Sequence, residues 1–231
     1  MKVIYLHHSG FIIELEKMTL IFDAISNISP HFLRKGRKNY FFVTHSHKDH
    51  FDQKILSYGS DYDTTYIFSD DIAEKNGRNI HYIAPYQMLN FPGIQIETFA
   101  STDLGVSYFI KAEGKNIFHS GDLNWWDWDT KIRPNINPEI EERDFKMIIK
   151  KIELQSKEHQ IDVAFVPVDP RLGGSAYRAA EYFINILKPK ILIPMHFWED
   201  FSVIKTLHDR EIDSDTIIPL FEDRNKVIGN Y

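Results

Sequence analysis

The residues best suited to chemistry lie in one short segment, residues 44–50, which reads THSHKDH. Residues two apart in an extended chain share a face, so His45 and His47 can reach one metal ion together. Asp49 and His50 follow where the chain turns toward a helix that is expected to begin near Asp52, and they can point to a second position beside the first. Imidazole nitrogens and carboxylate oxygens at this spacing suit zinc, manganese or iron, so the segment predicts a metal site.

Two later positions repeat the pattern of a ligand type after a buried strand. The stretch KNIFHSGD ends at Asp122, and the stretch KILIPMH ends at His196. Either residue alone is more often a turn carboxylate or a structural histidine. Because strands of one sheet end at the same edge, where α/β proteins place their sites, both residues are predicted to join the first segment as ligands.

The elements that must position these residues change character along the chain. The first half consists of short apolar strands, including NYFFVT just before His45. The second half alternates strand and helix, with helices expected from Pro138, after Gly173-Gly174 and near 199–210. The order predicts a mixed α/β protein with helices packed outside the sheets. No linker divides the chain, so residues 1–231 are expected to form one domain.

Composition limits the chemistry further. The chain has 231 residues, no cysteine, 11 histidines and a formal net charge of −6. Without cysteine there is no thiol nucleophile, iron–sulfur cluster or cysteine-based zinc site, so any metal must be held by histidines and carboxylates. The acidic balance argues against broad nucleic-acid binding. No signal peptide or membrane-spanning run is found, which predicts a cytoplasmic location.

The ordered motifs resemble those of the metallo-β-lactamase superfamily over almost the whole chain. The resemblance implies an αββα sandwich of two mixed sheets flanked by helices, with metals at one edge. It also implies a role for each ligand: His45 and His47 on metal one, Asp49, His50 and His196 on metal two, Asp122 bridging both, and Asp23 orienting ligands by hydrogen bonds.

One ligand of that superfamily is missing. A further histidine normally precedes the bridging aspartate and binds metal one, but residues 99–105 read FASTDLG. Asp103 is the best replacement, or it is a loop carboxylate that binds backbone. His119 is a second possible substitute, although its strand parity is opposite to that of Asp122, which favours a structural role. If nothing replaces the histidine, the site holds one metal.

The N-terminal residues 6–12, LHHSGFI, resemble one branch of the superfamily, which contains ascorbate-6-phosphate lactonase and N-acyl-phosphatidylethanolamine phospholipase D. The resemblance implies that His8 lies at the mouth of the metal site. The alternative is a strand histidine packed at a sheet end.

Large and charged side chains follow the proposed ligands. All four tryptophans lie near them in sequence, at Trp125, Trp126, Trp128 and Trp198. Such rings form either core or the wall of a pocket. In the loop after another buried strand, Asp169 is a candidate for orienting a ligand. Arg171 either holds an anionic substrate group or pairs with an acid.

Together these features predict a hydrolase with one or two divalent metals, zinc favoured over manganese or iron. It would cleave a phosphodiester, lactone, ester or amide in a small molecule, with no nucleic-acid partner. Asp49 would orient the nucleophile, and His8 would donate a proton or bind a substrate oxygen. The alternatives are a degenerate member that binds metal or ligand without turnover, and a nuclease of the same superfamily. Substrate and oligomeric state stay open.

Overall fold

A computed structural model describes residues 1–25, 27–74, 77, 79–157 and 159–231. The chain forms two compact units. Unit 1 comprises Met1–Ala84 with Phe221–Tyr231, and unit 2 comprises Pro85–Leu220. Each unit contains one β-sheet. The expectation of a single domain over the whole chain stays a prediction.

The sheet of unit 1 has seven strands, in the order β13-β1-β2-β3-β4-β5-β6. Strands β1 to β3 and β13 pair antiparallel, whereas β3, β4, β5 and β6 pair parallel. The strands are β1 (Lys2–His7), β2 (Gly10–Glu14), β3 (Met18–Phe22), β4 (Lys38–Val43), β5 (Thr64–Ser69), β6 (Ile80–Ile83) and β13 (Lys226–Asn230).

The sheet of unit 2 has six strands, in the order β12-β11-β10-β9-β8-β7. Strands β7 to β10 pair antiparallel and β10 to β12 pair parallel. The short β7 is absent from the sequence prediction. The strands are β7 (Met88–Phe91), β8 (Ile94–Ala100), β9 (Val106–Ala112), β10 (Lys115–His119), β11 (Val163–Pro167) and β12 (Ile191–Met195).

Burial explains why the central strands read as continuous apolar runs. In β4 every residue after Lys38 is buried, and β11 and β12 are buried throughout. A parallel strand covered on both faces needs apolar side chains in both directions. The hairpin between β9 and β10 turns at Glu113 and Gly114, whose φ angles are 49° and 73°. Two consecutive positive φ values are typical of a type I′ turn.

Three α-helices lie in unit 2: α1 (Pro138–Ser156), α2 (Arg178–Leu187) and α3 (Ser202–His208). Helix α1 begins where predicted, because the side chain of Asn137 accepts from the backbone N–H of Glu139 and proline takes the first turn. Helices α1 and α2 pack together and against strands of the unit 2 sheet. Shorter 3-10 helices span Pro30–Phe32, Gln53–Ser60 and Pro170–Ser175.

The strand directions place the chemical residues of unit 1 at one edge of its sheet. Strands β1, β3, β4 and β5 point the same way, because β1 is antiparallel to β2 and β2 to β3. His8 follows the carboxyl end of β1, Asp23 follows β3, and residues 44–50 follow β4. Carboxyl ends of parallel strands are the usual location of sites in α/β proteins.

Unit 2 follows the same rule. Strands β8, β10, β11 and β12 point the same way. Asp103 follows β8, Asp122 follows β10, Asp169 follows β11, and His196 follows β12.

The two mixed sheets and their flanking helices confirm the predicted α/β class. Among the residues described, no helix has the length and apolar character needed to cross a membrane.

Candidate functional site

The first two histidines of unit 1 face each other at the end of β4. Nε2 of His45 lies 3.0 Å from Nδ1 of His47. Two nitrogens bound to one tetrahedral zinc lie roughly 3.3 Å apart, so this separation fits a shared metal. The other ring nitrogen of His45, Nδ1, lies 3.1 Å from the hydroxyl of Thr44.

Asp23 is the hub that orients this end of the sheet. It is fully buried, and its two oxygens accept from the backbone N–H and the hydroxyl of Thr44 at 2.8 and 2.7 Å. Nδ1 of His50 lies 2.8 Å from the same carboxylate. Because Nδ1 faces an acceptor, it carries the proton, and Nε2 of His50 presents a lone pair. This arrangement suits a metal ligand.

A second group of possible metal ligands lies beside Asp23. His8, Asp49 and His50 each offer one atom that could coordinate a metal, and these three atoms lie within 4.8 Å of one another. Nε2 of His8 lies 3.3 Å from Oδ2 of Asp49. The hydrogen bond from His8 holds the pKa of the Asp49 carboxyl well below its usual range, against the opposing effect of burial. Asp49 is therefore a carboxylate near neutral pH, the form that binds a metal or orients water.

The turn within residues 44–50 is held by a residue that the sequence analysis did not indicate. Asp71 follows the carboxyl end of β5, and its Oδ2 accepts from the backbone N–H of Ser46 at 2.9 Å. This bond fixes the turn between His45 and His47. The position of Asp71 just after a parallel strand is the signal that could have identified it.

In unit 2, Asp122 and His196 lie together at the sheet edge. Nε2 of His196 is 3.5 Å from Oδ2 of Asp122, and both side chains are buried. The other ring nitrogen, Nδ1, is 3.1 Å from Oδ2 of Asp169. His196 is therefore held from behind by a carboxylate, as His50 is in unit 1.

Arg171 and Asp169 form a close ion pair within one loop. The guanidinium donates to both carboxylate oxygens, with Nε at 2.9 Å from each. Burial raises the pKa of Asp169, but hydrogen bonds from His196 and Arg171 outweigh burial and lower that pKa to about 2. Of the two interpretations of Arg171, the structure shows pairing with an acid, and that acid is buried Asp169.

Asp103 takes a position next to Asp122. A carboxylate oxygen of each residue lies within 4.8 Å of the other. Thr102 fixes this approach, because its hydroxyl donates to the carbonyl of Asn124 at 2.6 Å and accepts from the N–H of Asn124 at 2.9 Å. Two carboxylates this close repel each other unless a cation lies between them. The geometry therefore suits Asp103 as the substitute for the missing histidine.

His119, the other possible substitute, is used inside its own turn. It is fully buried, and its Nδ1 accepts from the backbone N–H of Gly121 at 3.2 Å. Its ring also lies against Phe165, with centroids 5.6 Å apart. These contacts are those of a structural residue, the role that the strand parity of His119 favours.

The tryptophans divide between core and site. Trp125 packs on Phe145 and Tyr182, at centroid distances of 6.1 and 6.2 Å. Trp126 and Trp198 instead pack edge-on against His196, at 5.7 and 5.6 Å.

Backbone strain is concentrated at the same residues. His8, Asp23 and His196 have φ angles of 41°, 41° and 61°, in the left-handed region that most L residues avoid. Such strain costs on the order of 1 kcal/mol or more per residue and gathers at functional sites. Each of these residues directly follows a strand, so the turn directs its side chain at the sheet edge.

The chain is similar in sequence to proteins named as metal-dependent hydrolases. No family model matches the chain. A UPF0173 metal-dependent hydrolase of Nanoarchaeum equitans is 29% identical over 203 residues, covering 85% of this chain and 84% of that protein.

Solved structures show the same fold. The metallo hydrolase Igni18 of Ignicoccus hospitalis aligns with a TM-score of 0.60 at 16% identity, covering 94% of each chain. The metallo-β-lactamase fold protein YhfI of Bacillus subtilis aligns with a TM-score of 0.50 at 14% identity, covering 85% of this chain and 86% of that one. The branch indicated by residues 6–12 stays a prediction. The chain is therefore similar in sequence to proteins named as metal-dependent hydrolases, and it shares the fold of a metallo hydrolase and of a metallo-β-lactamase fold protein.

Proposed function

We propose that the chain hydrolyses a small molecule with one or two divalent metals. The proposed ligands are His45, His47 and Asp103 for metal one, Asp49, His50 and His196 for metal two, and Asp122 for both. Zinc suits this set of imidazole and carboxylate donors best, and manganese or iron are the alternatives.

The observation that carries the proposal is the pair of oriented imidazoles. Asp23 faces Nδ1 of His50 at 2.8 Å, and Asp169 faces Nδ1 of His196 at 3.1 Å. A carboxylate behind a histidine fixes the tautomer, turns Nε2 outward and increases its basicity, which is the usual support of a metal ligand. Burying two carboxylates is costly, and packing alone gives no reason for it.

The chain's own groups supply orientation and a proton. A bound divalent metal supplies Lewis acidity and lowers the pKa of water toward 7. Asp49 is held as a carboxylate and can accept a hydrogen bond from the attacking water. His8 lies 3.3 Å from Asp49 and can donate a proton to the leaving group from the same side.

The bond cleaved is a phosphodiester, lactone, ester or amide. The resemblance of residues 6–12 to the branch of ascorbate-6-phosphate lactonase favours a phosphorylated or acylated small molecule. The net charge of −6 disfavours the nuclease alternative, because an acidic surface repels a polyanion.

Metal content is the first test. Purified protein, loaded with zinc, manganese or iron and then dialysed, should retain one or two metals per chain. His47→Ala and Asp122→Ala should lower this number or the affinity. His31→Ala and Asp144→Ala are matched controls, since His31 bonds to Ser29 and Asp144 to Arg143 at the surface. If no metal is retained in any form, the proposal fails.

Turnover is the second test. Chromogenic phosphodiesters, lactones, esters and thioesters should reveal an activity that His47→Ala and Asp122→Ala abolish. His8→Gln should lower kcat by roughly 100-fold or more with metal content unchanged. Metal retention without turnover on any of these substrates would instead support the degenerate, non-catalytic alternative. Activity that survives both ligand changes would show that it arises elsewhere.

A further inference from the structure

Five side chains of unit 2, among them the proposed metal ligand His196, form a closed ring of contacts. The ring runs from His196 to Trp126 at 5.7 Å, from Trp126 to Trp128 at 6.1 Å, and from Trp128 to the guanidinium of Arg171 at 5.4 Å. It closes from Arg171 to Trp198 at 4.7 Å and from Trp198 to His196 at 5.6 Å. We call these five residues the tryptophan cage.

The cage holds a large apolar ring open to solvent. Trp198 is 46% exposed, although its neighbour Phe197 is fully buried. The backbone has positive φ at His196, Trp198 and Glu199, with values of 61°, 50° and 67°. Three strained residues in one turn cost stability, and they keep an indole in water beside a proposed ligand. An aromatic side chain in this state is typical of a binding surface rather than of core.

Trp126 adds an unused donor. It is 8% exposed, and its indole Nε1 is buried with no acceptor among the residues that the structure describes. A buried N–H without an acceptor is destabilising by about 1 kcal/mol or more. An occupant with an acceptor atom would supply the missing partner.

The cationic member of the cage is rigid and largely neutralised. Arg171 is clamped to both oxygens of Asp169, so its planar guanidinium offers a flat face more than an uncompensated charge. Arg133 lies over Trp128 at 4.8 Å and adds one more cation at the rim. The cage therefore suits a flat group with a partly negative or anionic end, and disfavours a cation.

Core packing is the alternative explanation, and Trp125 shows what it would look like. Trp125 is half-buried and packs on side chains of α1 and α2, Phe145 and Tyr182, with the guanidinium of Arg178 on the same helix α2 at 5.6 Å. Trp126 and Trp198 instead pack against His196, and Trp128 and Trp198 lie against the guanidinium of Arg171. The difference gives a matched control within one stretch of chain.

We propose that the tryptophan cage binds a flat unsaturated group of the substrate, an aryl or aromatic acyl group with an oxygen acceptor. This group would lie directly beside the reacting bond. The placement rests on the proposed function, because that function puts the reacting bond at His196.

Calorimetric titration of the metal-loaded protein with benzoate and with cyclohexanecarboxylate tests the cage without turnover. The two probes share a carboxylate and ring size but differ in flatness. We expect benzoate to bind roughly five- to tenfold more tightly, since aromatic stacking adds to area burial. Trp198→Leu should remove this preference, Trp198→Phe should retain part of it, and Trp125→Phe should leave it intact.

The outcomes separate this proposal from the proposed function. Equal affinities for the two probes, or a preference that survives Trp198→Leu, would overturn the cage even if hydrolysis is found. A preference for benzoate that depends on Trp198 supports the cage even if no substrate is hydrolysed. Because Trp198 is half exposed, its replacement removes little core, and unchanged metal content and circular dichroism would confirm that the variants are folded.

Discussion

Oδ2 of Asp169 lies 3.1 Å from Nδ1 of His196, and the same carboxylate carries Arg171. The carboxylate therefore holds two members of the tryptophan cage, and one of them, His196, is a proposed metal ligand. Asp169→Asn places an amide opposite the histidine and removes the charge that Arg171 requires. We expect metal affinity to fall roughly 10- to 100-fold, as for other residues that orient ligands. Competition with a chromogenic chelator measures this loss.

Asp162→Asn is the matched control for this change. Asp162 lies just before β11, the strand that Asp169 follows, and pairs with Lys190 at 2.7 Å. Replacing Asp162 removes a largely buried carboxylate at the amino end of β11, whereas Asp169 lies after its carboxyl end. Equal losses of metal affinity in the two variants would mean that Asp169 acts only on stability.

Asp23→Asn tests the hub of unit 1. The two oxygens of Asp23 accept from two Thr44 donors and face Nδ1 of His50. An asparagine amide must turn its NH₂ group toward one of these donors. The positive φ of 41° at residue 23 is tolerated by asparagine, so the backbone adds no strain. We expect a loss of about 2 kcal/mol in the free energy of unfolding.

Urea unfolding of the chelated, metal-free protein measures this loss separately from metal binding. Asp63→Asn serves as the control, because Asp63 pairs with Lys38 at the exposed end of β4. If Asp23→Asn is as stable as Asp63→Asn, the buried hydrogen bonds of Asp23 contribute nothing to the free energy of unfolding.

His7 makes stability depend on pH. Burial, helped by His8 and Arg224, lowers the pKa of His7 from 6.5 to about 4. Its Nε2 accepts from the backbone N–H of Ile25 at 3.1 Å, which requires the neutral ring. The unfolded chain binds a proton below pH 6.5 and the folded chain does so only near pH 4. Stability is therefore fully present above pH 6.5 and falls as the pH falls toward 4.

A His7→Leu variant isolates this effect from the other histidines. Unfolding of metal-free protein at pH 7.5 and pH 5 should show that wild type loses about 2 kcal/mol more than the variant over this interval. His31→Leu, at an exposed position, should behave as wild type. Equal pH dependence of wild type and His7→Leu would contradict the neutral, buried state of His7.

Much of the fold and the positions of the site residues follow from local sequence. Parallel strands buried on both faces read as apolar runs, and polar residues directly after such runs, such as Asp122 and His196, come at the sheet edge. The helix expected to begin near Asp52 is instead a 3-10 helix over Gln53–Ser60. Strand β7 alternates exposed and half-buried residues, so no apolar run marked it.

Asp71 and Thr102, which support the proposed site through hydrogen bonds, could not be predicted from the sequence for a different reason. Asp71 acts through a hydrogen bond to Ser46, which lies 25 residues away in the chain, and Thr102 acts through hydrogen bonds to Asn124, which lies 22 residues away. Nothing local distinguishes an aspartate or threonine that makes such a bond from one that faces water. Only the strand order shows which carboxyl ends are neighbours.

Asp103 is the position where the sequence departs from the superfamily that its motifs resemble, and the replacement of Asp103 separates two effects. Its carboxylate lies within 4.8 Å of that of Asp122, held there by Thr102. Without metal, Asp103→Asn removes repulsion between the two carboxylates, so the free energy of unfolding should be unchanged or slightly higher. With metal, the same change removes a charged ligand, and affinity at one site should fall at least tenfold.

Metal stoichiometry by mass spectrometry, together with unfolding in chelator, measures both effects on the same variant. Asp103→His should keep the metal, because it restores the ligand type that the superfamily places before the bridging aspartate. Asp144→Asn, an acid on α1 paired with Arg143, is the control. Full metal retention in Asp103→Asn would assign Asp103 to the loop alone, and metal one would then rest on His45, His47 and Asp122.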